Sequence, residues 1–175
     1  HVMMDISCDH LSDFSLEWQD VRHYSERSSY AKWFLIDKYP VRYIPSEIPD
    51  YAKMLTYEAV DDNPHQPRLN FENAEVQDMF SNVFRYWTRN FGIDAWCLNN
   101  ADELPDSFKQ RLKNELRLLD PSVMLVSKGR LKANDVSENV LDAVFSNSYA
   151  FEIADAFVKG DVTPVDLSDA QVRTA

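Results

Sequence analysis

Between Asn73 and Val126 short apolar runs alternate with helical periods, and that alternation leaves few folds open. Val76, Met79, Phe80, Val83, Phe84 and Trp87 recur at the spacing of one helix face, which assigns all six, Trp87 included, to a core. Asn73 is placed to cap this helix and Gly92 to end it. Residues 93–98 form a short apolar strand followed by polar Asn99 and Asn100. Pro105-Asp106 then opens a second helix with Phe108, Leu112, Leu116 and Leu119 inward. Residues 123–126 read as the next strand and 140–145 as another, followed by a helix over about 149–159 that Gly160 terminates. Upstream, residues 2–6 make an apolar run that delivers Ser7, Cys8, Asp9 and His10 at its end. Short strands alternating with helices predict an α/β fold with a parallel sheet, open or closed into a barrel.

The stretch from Phe14 to Asn70 breaks this rhythm. It holds Pro40, Pro45, Pro49, Pro64 and Pro67 and sustains neither a helical nor a strand period. It reads as a long irregular excursion with one short helix or strand near residues 30–36; stretches of this kind commonly form part of a functional site.

Composition removes several classes of function. A formal charge of -11 opposes a nucleic-acid backbone and an anionic membrane surface as partners. Three glycines in the chain argue against phosphate-cradling loops and dinucleotide fingerprints, so no cofactor is expected. Cys8 and Cys97 are too few for a disulfide scaffold and read as small buried thiols. Asp5 and Asp9 lack identifiable companion oxygens for a calcium site, so no metal is expected. The opening HVMMD has no basic, apolar and small-residue succession of a secretory signal, which favours the cytoplasm.

In parallel α/β folds the residues just past the C-terminal strand ends line the site. These are Asp9-His10, Asn99 to Glu103, Ser127-Lys128 and Ser146-Asn147. Here the sequence resembles the α-amylase family of glycoside hydrolases, family 13, in its neopullulanase, cyclomaltodextrinase and maltogenic amylase branch. Gln66-Pro67-Arg68-Leu69-Asn70, then ENAEV and RYWTRNFGIDAW, are similar to that branch's M-P-K-L-N segment, helix and G-I-D-G-W-R-L-D strand. SSYAKWFLIDKYP, with Tyr51 beyond it, resembles its short inserted domain, and LDAVFSNSYAF resembles F-D-A-V-M-N-Y-P-F. The resemblance implies a partial (β/α)8 TIM barrel, about strands three to six, over residues 1–175, with residues 14–70 as an inserted loop or small subdomain after the first strand.

It also implies where the chemistry should sit. Retaining hydrolysis needs a nucleophilic carboxylate and an acid/base carboxyl about 5–5.5 Å apart. The family's nucleophile position is matched by Asn99, its supporting arginine by Cys97 and its general acid by Lys128. An amide is a very poor nucleophile, and an ammonium opposes the positive charge that develops on the sugar. The expectation is a catalytically silent domain with residual α-glucan or maltooligosaccharide binding. Asp5, Asp9 and His10 represent the family's D-x-x-x-N-H pattern, with Asp9 where that pattern has Asn. His10, Asp9 and Glu103 are candidate sugar contacts, and Trp33 a candidate stacking platform. His10 could equally be hydrogen-bonded structure. Trp96, within a strand, reads as core.

Two further readings stand beside this one. The raw edges of a partial sheet call for a homodimer or a partner chain to cover them. A rewired enzyme would use Lys128 or Cys97 as nucleophile, although no base is assigned beside either.

Overall fold

A computed structural model describes residues 1–42, 55–128 and 140–145, together with Thr163 and Val165. The chain divides into two compact units, one built from residues 1–6 with those from 85 onward, the other from residues 7–84.

The first unit carries a four-stranded sheet in the order β1 (Met3–Ser7), β2 (Ala95–Asn99), β3 (Met124–Ser127), β4 (Ala143–Val144). β2 pairs parallel to β3 with Cys97 opposite Val126, and β3 parallel to β4 with Ser127 opposite Val144. This is the parallel α/β arrangement the alternation predicts. Helix α3 (Asp106–Leu119) starts immediately after Pro105 and buries Phe108, Leu112 and Leu116. These repeat at the helical period and are buried, as are the apolar sheet residues Trp96, Leu98 and Leu125, at ~25 cal/mol per Å² of apolar surface removed from water. Leu119, expected inward, is partly exposed. The expected strand over 140–145 is shorter than its apolar pattern, because Leu141 packs inward while Asp142 turns to charged partners on α3. The helix expected over 149–159 and the strand-end pair Ser146-Asn147 lie outside the described residues.

Helix α2 (Ala74–Phe91) begins where Asn73 accepts the Glu75 backbone N–H at 2.9 Å and ends at Gly92, whose φ of 63° is costly for residues bearing a Cβ. Val76, Phe80 and Phe84 are buried as expected. Trp87 is not: it is 38% exposed and packs against Tyr86 and Phe91, themselves exposed. At the final turns the inward position passes to Thr88, whose hydroxyl accepts the Trp96 indole N–H at 2.9 Å and so satisfies a buried donor.

In the second unit, the excursion expected to be irregular contains a further helix, α1 (Leu16–Tyr24). Ser15 caps it by accepting the Trp18 N–H, and only Trp18 and Val21 are buried along its length, too few to announce a period. Trp18 meets Phe34 and Tyr57 edge-on, each at 4.7 Å between ring centres, which makes an aromatic core for this unit. A short 3-10 turn at Ala31–Trp33 and isolated antiparallel bridges, Phe34 with Leu69 and Ile36 with Tyr57, replace longer strands. Tyr51 and the prolines at 45 and 49 lie outside the described residues.

Candidate functional site

β1, β2 and β3 bring Asp5, Cys97 and Lys128 together. Lys128 is the first residue past β3, and its backbone N–H donates to the Leu98 carbonyl of β2 at 3.1 Å. Its Nζ lies 3.4 Å from Asp5 Oδ2, with both side chains about half exposed. Cys97 is fully buried, and its thiol hydrogen-bonds to Asp5. Burial, that hydrogen bond and the Asp5 charge together push the thiol up to about 11, against a smaller opposing pull from Lys128. A thiol so protonated is a poor nucleophile at neutral pH. Asn99 closes β2, and Asn100 beyond it adopts a left-handed conformation, φ 54°, which asparagine tolerates better than most residues. This turn leads into Ala101–Glu103, where Glu103 is exposed. Buried Lys109 anchors the turn by donating to the Ala101 carbonyl at 3.1 Å while pairing with Asp106 at 2.7 Å.

The second unit holds the other candidates. Asp9 is buried, and its Oδ1 lies 2.9 Å from His10 Nδ1. The Asp9 carbonyl accepts the Leu69 N–H, and His10 bridges to Arg68, so the Gln66–Asn70 segment fixes this pair from the side. The contact at Nδ1 orients the imidazole with Nε2 pointing away from the carboxylate. Cys8 beside it is buried, and burial followed by the Asp9 charge drives its thiol far upward. Trp33 is half-buried, its indole N–H donating to Glu75 Oε2 at 2.7 Å and its ring edge-on to Tyr30 at 4.9 Å. The indole direction is therefore set by Glu75 and Tyr30.

Sequence reasoning names Asp9, His10, Cys97, Asn99, Glu103, Lys128 and Trp33, but not Asp5 as the partner of Lys128 or Glu75 as the partner of Trp33. For Asp5 a signal exists: it is a charged residue in the middle of an apolar strand, and such a residue needs a reason to be there. Among the described residues no group of three or more His, Cys, Asp or Glu side chains could hold a metal ion.

Parallel strands, with helices between β1 and β2 and between β2 and β3, and polar side chains at the C-terminal strand ends define an α/β architecture that corresponds to part of a (β/α)8 barrel. Its homologues are the maltogenic amylases, neopullulanases and cyclomaltodextrinases of the α-amylase family, glycoside hydrolase family 13. The chain is 28% identical over 127 residues to a maltogenic α-amylase of Bacillus acidopullulyticus, a match that covers 73% of this chain and 20% of the relative. It is also 28% identical over 169 residues to a cyclomaltodextrinase of Geobacillus thermopakistaniensis, covering 96% of this chain and 27% of the relative. The chain thus spans about a fifth to a quarter of the length of these relatives. Among solved structures, a cyclic α-maltosyl-(1→6)-maltose hydrolase of Arthrobacter globiformis superposes with a TM-score of 0.86 at 20% identity, over 98% of this chain and 37% of the other. A cyclomaltodextrinase superposes with a TM-score of 0.87 at 24% identity, over 99% and 29%. No protein-family profile matches the chain.

Proposed function

We propose that this chain is an α-amylase-family domain whose hydrolytic site is silent and whose remaining polar and aromatic side chains bind α-glucan. The observation that carries the reading is the Lys128–Asp5 pair at 3.4 Å. A retaining hydrolase needs a protonated carboxyl to give its proton to the leaving oxygen and a second carboxylate to attack the anomeric carbon. At the two matching positions this chain has an ammonium, already engaged with Asp5, and the neutral amide of Asn99. Neither supplies the missing step, and the protonated Cys97 thiol does not replace it. Binding asks for less. His10, held by Asp9, and the exposed Glu103 can hydrogen-bond sugar hydroxyls, and Trp33 offers a ring of fixed direction for stacking. The maltose-bound form of the Arthrobacter hydrolase superposes on this fold, which supports a glucan as the ligand class.

The test has two arms. Purified protein incubated with maltotriose should release no glucose or maltose above a mock-purified control, while calorimetry with maltooligosaccharides should give saturable heat at millimolar sugar. Product that scales with protein and disappears in Lys128→Ala would overturn the silent site, and an absence of heat would overturn glucan binding.

A second reading concerns assembly. β1 and β4 are the outer strands of the described sheet, and Val2 and Met3 are about half exposed. Such an edge accepts a strand from a second copy or from another chain. Solution mass tests self-association: a stable dimer supports it, and a monomer at every concentration removes it.

A further inference from the structure

We infer that Asp5, Cys97 and Lys128 form one electrostatic unit, in which Lys128 holds Asp5 from across β2 and position 97 must stay small and uncharged for it to do so. The inference rests on the silent-site reading and deepens it, because it gives Lys128 and Cys97 a shared electrostatic partner where a hydrolase would carry catalytic groups.

Three observations support it. First, β1 and β3 are not neighbours; β2 lies between them. Strands in a sheet are spaced by 4.7–4.9 Å, so the pair spans a gap of roughly 10 Å between the flanking strands. Lys128 and Asp5 close that gap only by reaching over β2, where Cys97 hydrogen-bonds to the same carboxylate. Second, Cys97 is fully buried and bonded to Asp5, so a longer side chain there has no open space to enter. Third, Asp5 accepts from both neighbours: one carboxylate is balanced by a cation just past β3 and a neutral donor on β2.

Exchanging Lys128 for a carboxylate would set two acids face to face, with a buried thiol unable to neutralise either. Adding an acid at 99 compounds the excess. A cation at 97 is the one change inside the unit that would offset it. The three positions therefore act together, and their substitutions should be strongly non-additive.

Two measurements on the full chain test this. In a Cys8→Ala background the remaining thiol is titrated by its ultraviolet thiolate absorbance. Asp5→Asn should lower the Cys97 titration and Lys128→Met should raise it. Either substitution leaving the titration unmoved would overturn the unit. In parallel, a urea-denaturation cycle over Asp5→Asn and Lys128→Met should show coupling of roughly two- to fivefold in the folding equilibrium constant, and strict additivity would count against it. Cys97→Arg should disrupt folding at least tenfold less in the Lys128→Glu background than in the native one; equal disruption in both would overturn the steric and charge requirement at 97. If Cys97→Arg unfolds the chain in every background, the thiol titration still decides. Sugar turnover by the native protein would refute the silent site and leave these couplings as the separate measure of the unit.

Discussion

Asp142 at the α3 seam and Asp5 at the strand ends both recruit cations in the sheet unit, and burial makes them different. Asp142 Oδ1 takes Lys113 at 2.9 Å and Arg117 at 2.6 Å, while Oδ2 accepts the Leu125 N–H at 2.7 Å. The Lys113 side chain is only 2% exposed and Asp142 13%, so this pair is held out of water. Asp142 thereby ties α3, β3 and the approach to β4 into one piece. Asp5 and Lys128 are each half in water, which screens them and keeps their contribution to stability small. The same chemical pairing is scaffold in one place and site electrostatics in the other.

The sharpest way to break this comparison is Asp142→Ala. It takes the Asp142 carboxylate from Lys113 and the acceptor from the Leu125 N–H, and should cost about 3–5 kcal/mol in urea denaturation, as for breaking a buried ion pair. A loss under about 1 kcal/mol would show that the seam is no more structural than the strand ends. Next comes alkaline pH. Cys97 holds its proton to about 11 in the fold against an ordinary 9.0, so the unfolded chain ionises first. The stability this thiol contributes is full below about pH 9 and is lost as pH rises through about 11. Cys8, raised more strongly by burial, acts in the same direction. Denaturation midpoints should therefore fall over that window, and a Cys8→Ala, Cys97→Ala chain should show a shallower fall. Asn73→Ala should cost about 1 kcal/mol through the lost cap of α2, a reference between the two carboxylates. Smallest of all, Lys128→Met should change stability by under about 1 kcal/mol and leave the far-ultraviolet dichroism intact, while still moving the Cys97 titration.

Much of the fold is legible because it follows from local pattern. Helix α2 starts after Asn73 and stops before Gly92, and α3 follows Pro105, since caps and fixed φ angles act within a few residues. Trp87 shows the limit of the same logic. It satisfies the period of α2 yet lies at the surface, because beyond Phe84 the buried contact is made by Thr88 with Trp96. Helix α1 shows the converse: Trp18 and Val21 alone mark its buried face, and its stability comes from Phe34 and Tyr57, distant in sequence. At the candidate site the residue types at 97, 99 and 128 could be read directly, but their partners could not.

By itself, then, the order of residues determined the strand and helix alternation, the parallel sheet and the absence of carboxylates at Asn99 and Lys128, because periodicity, capping and side-chain chemistry are local properties. Only the tertiary structure decided that Lys128 meets Asp5, 123 positions away, with Cys97 hydrogen-bonded to the same carboxylate. A parallel sheet joins residues through strand order and register, and charges brought together in that way leave no periodic trace along the chain.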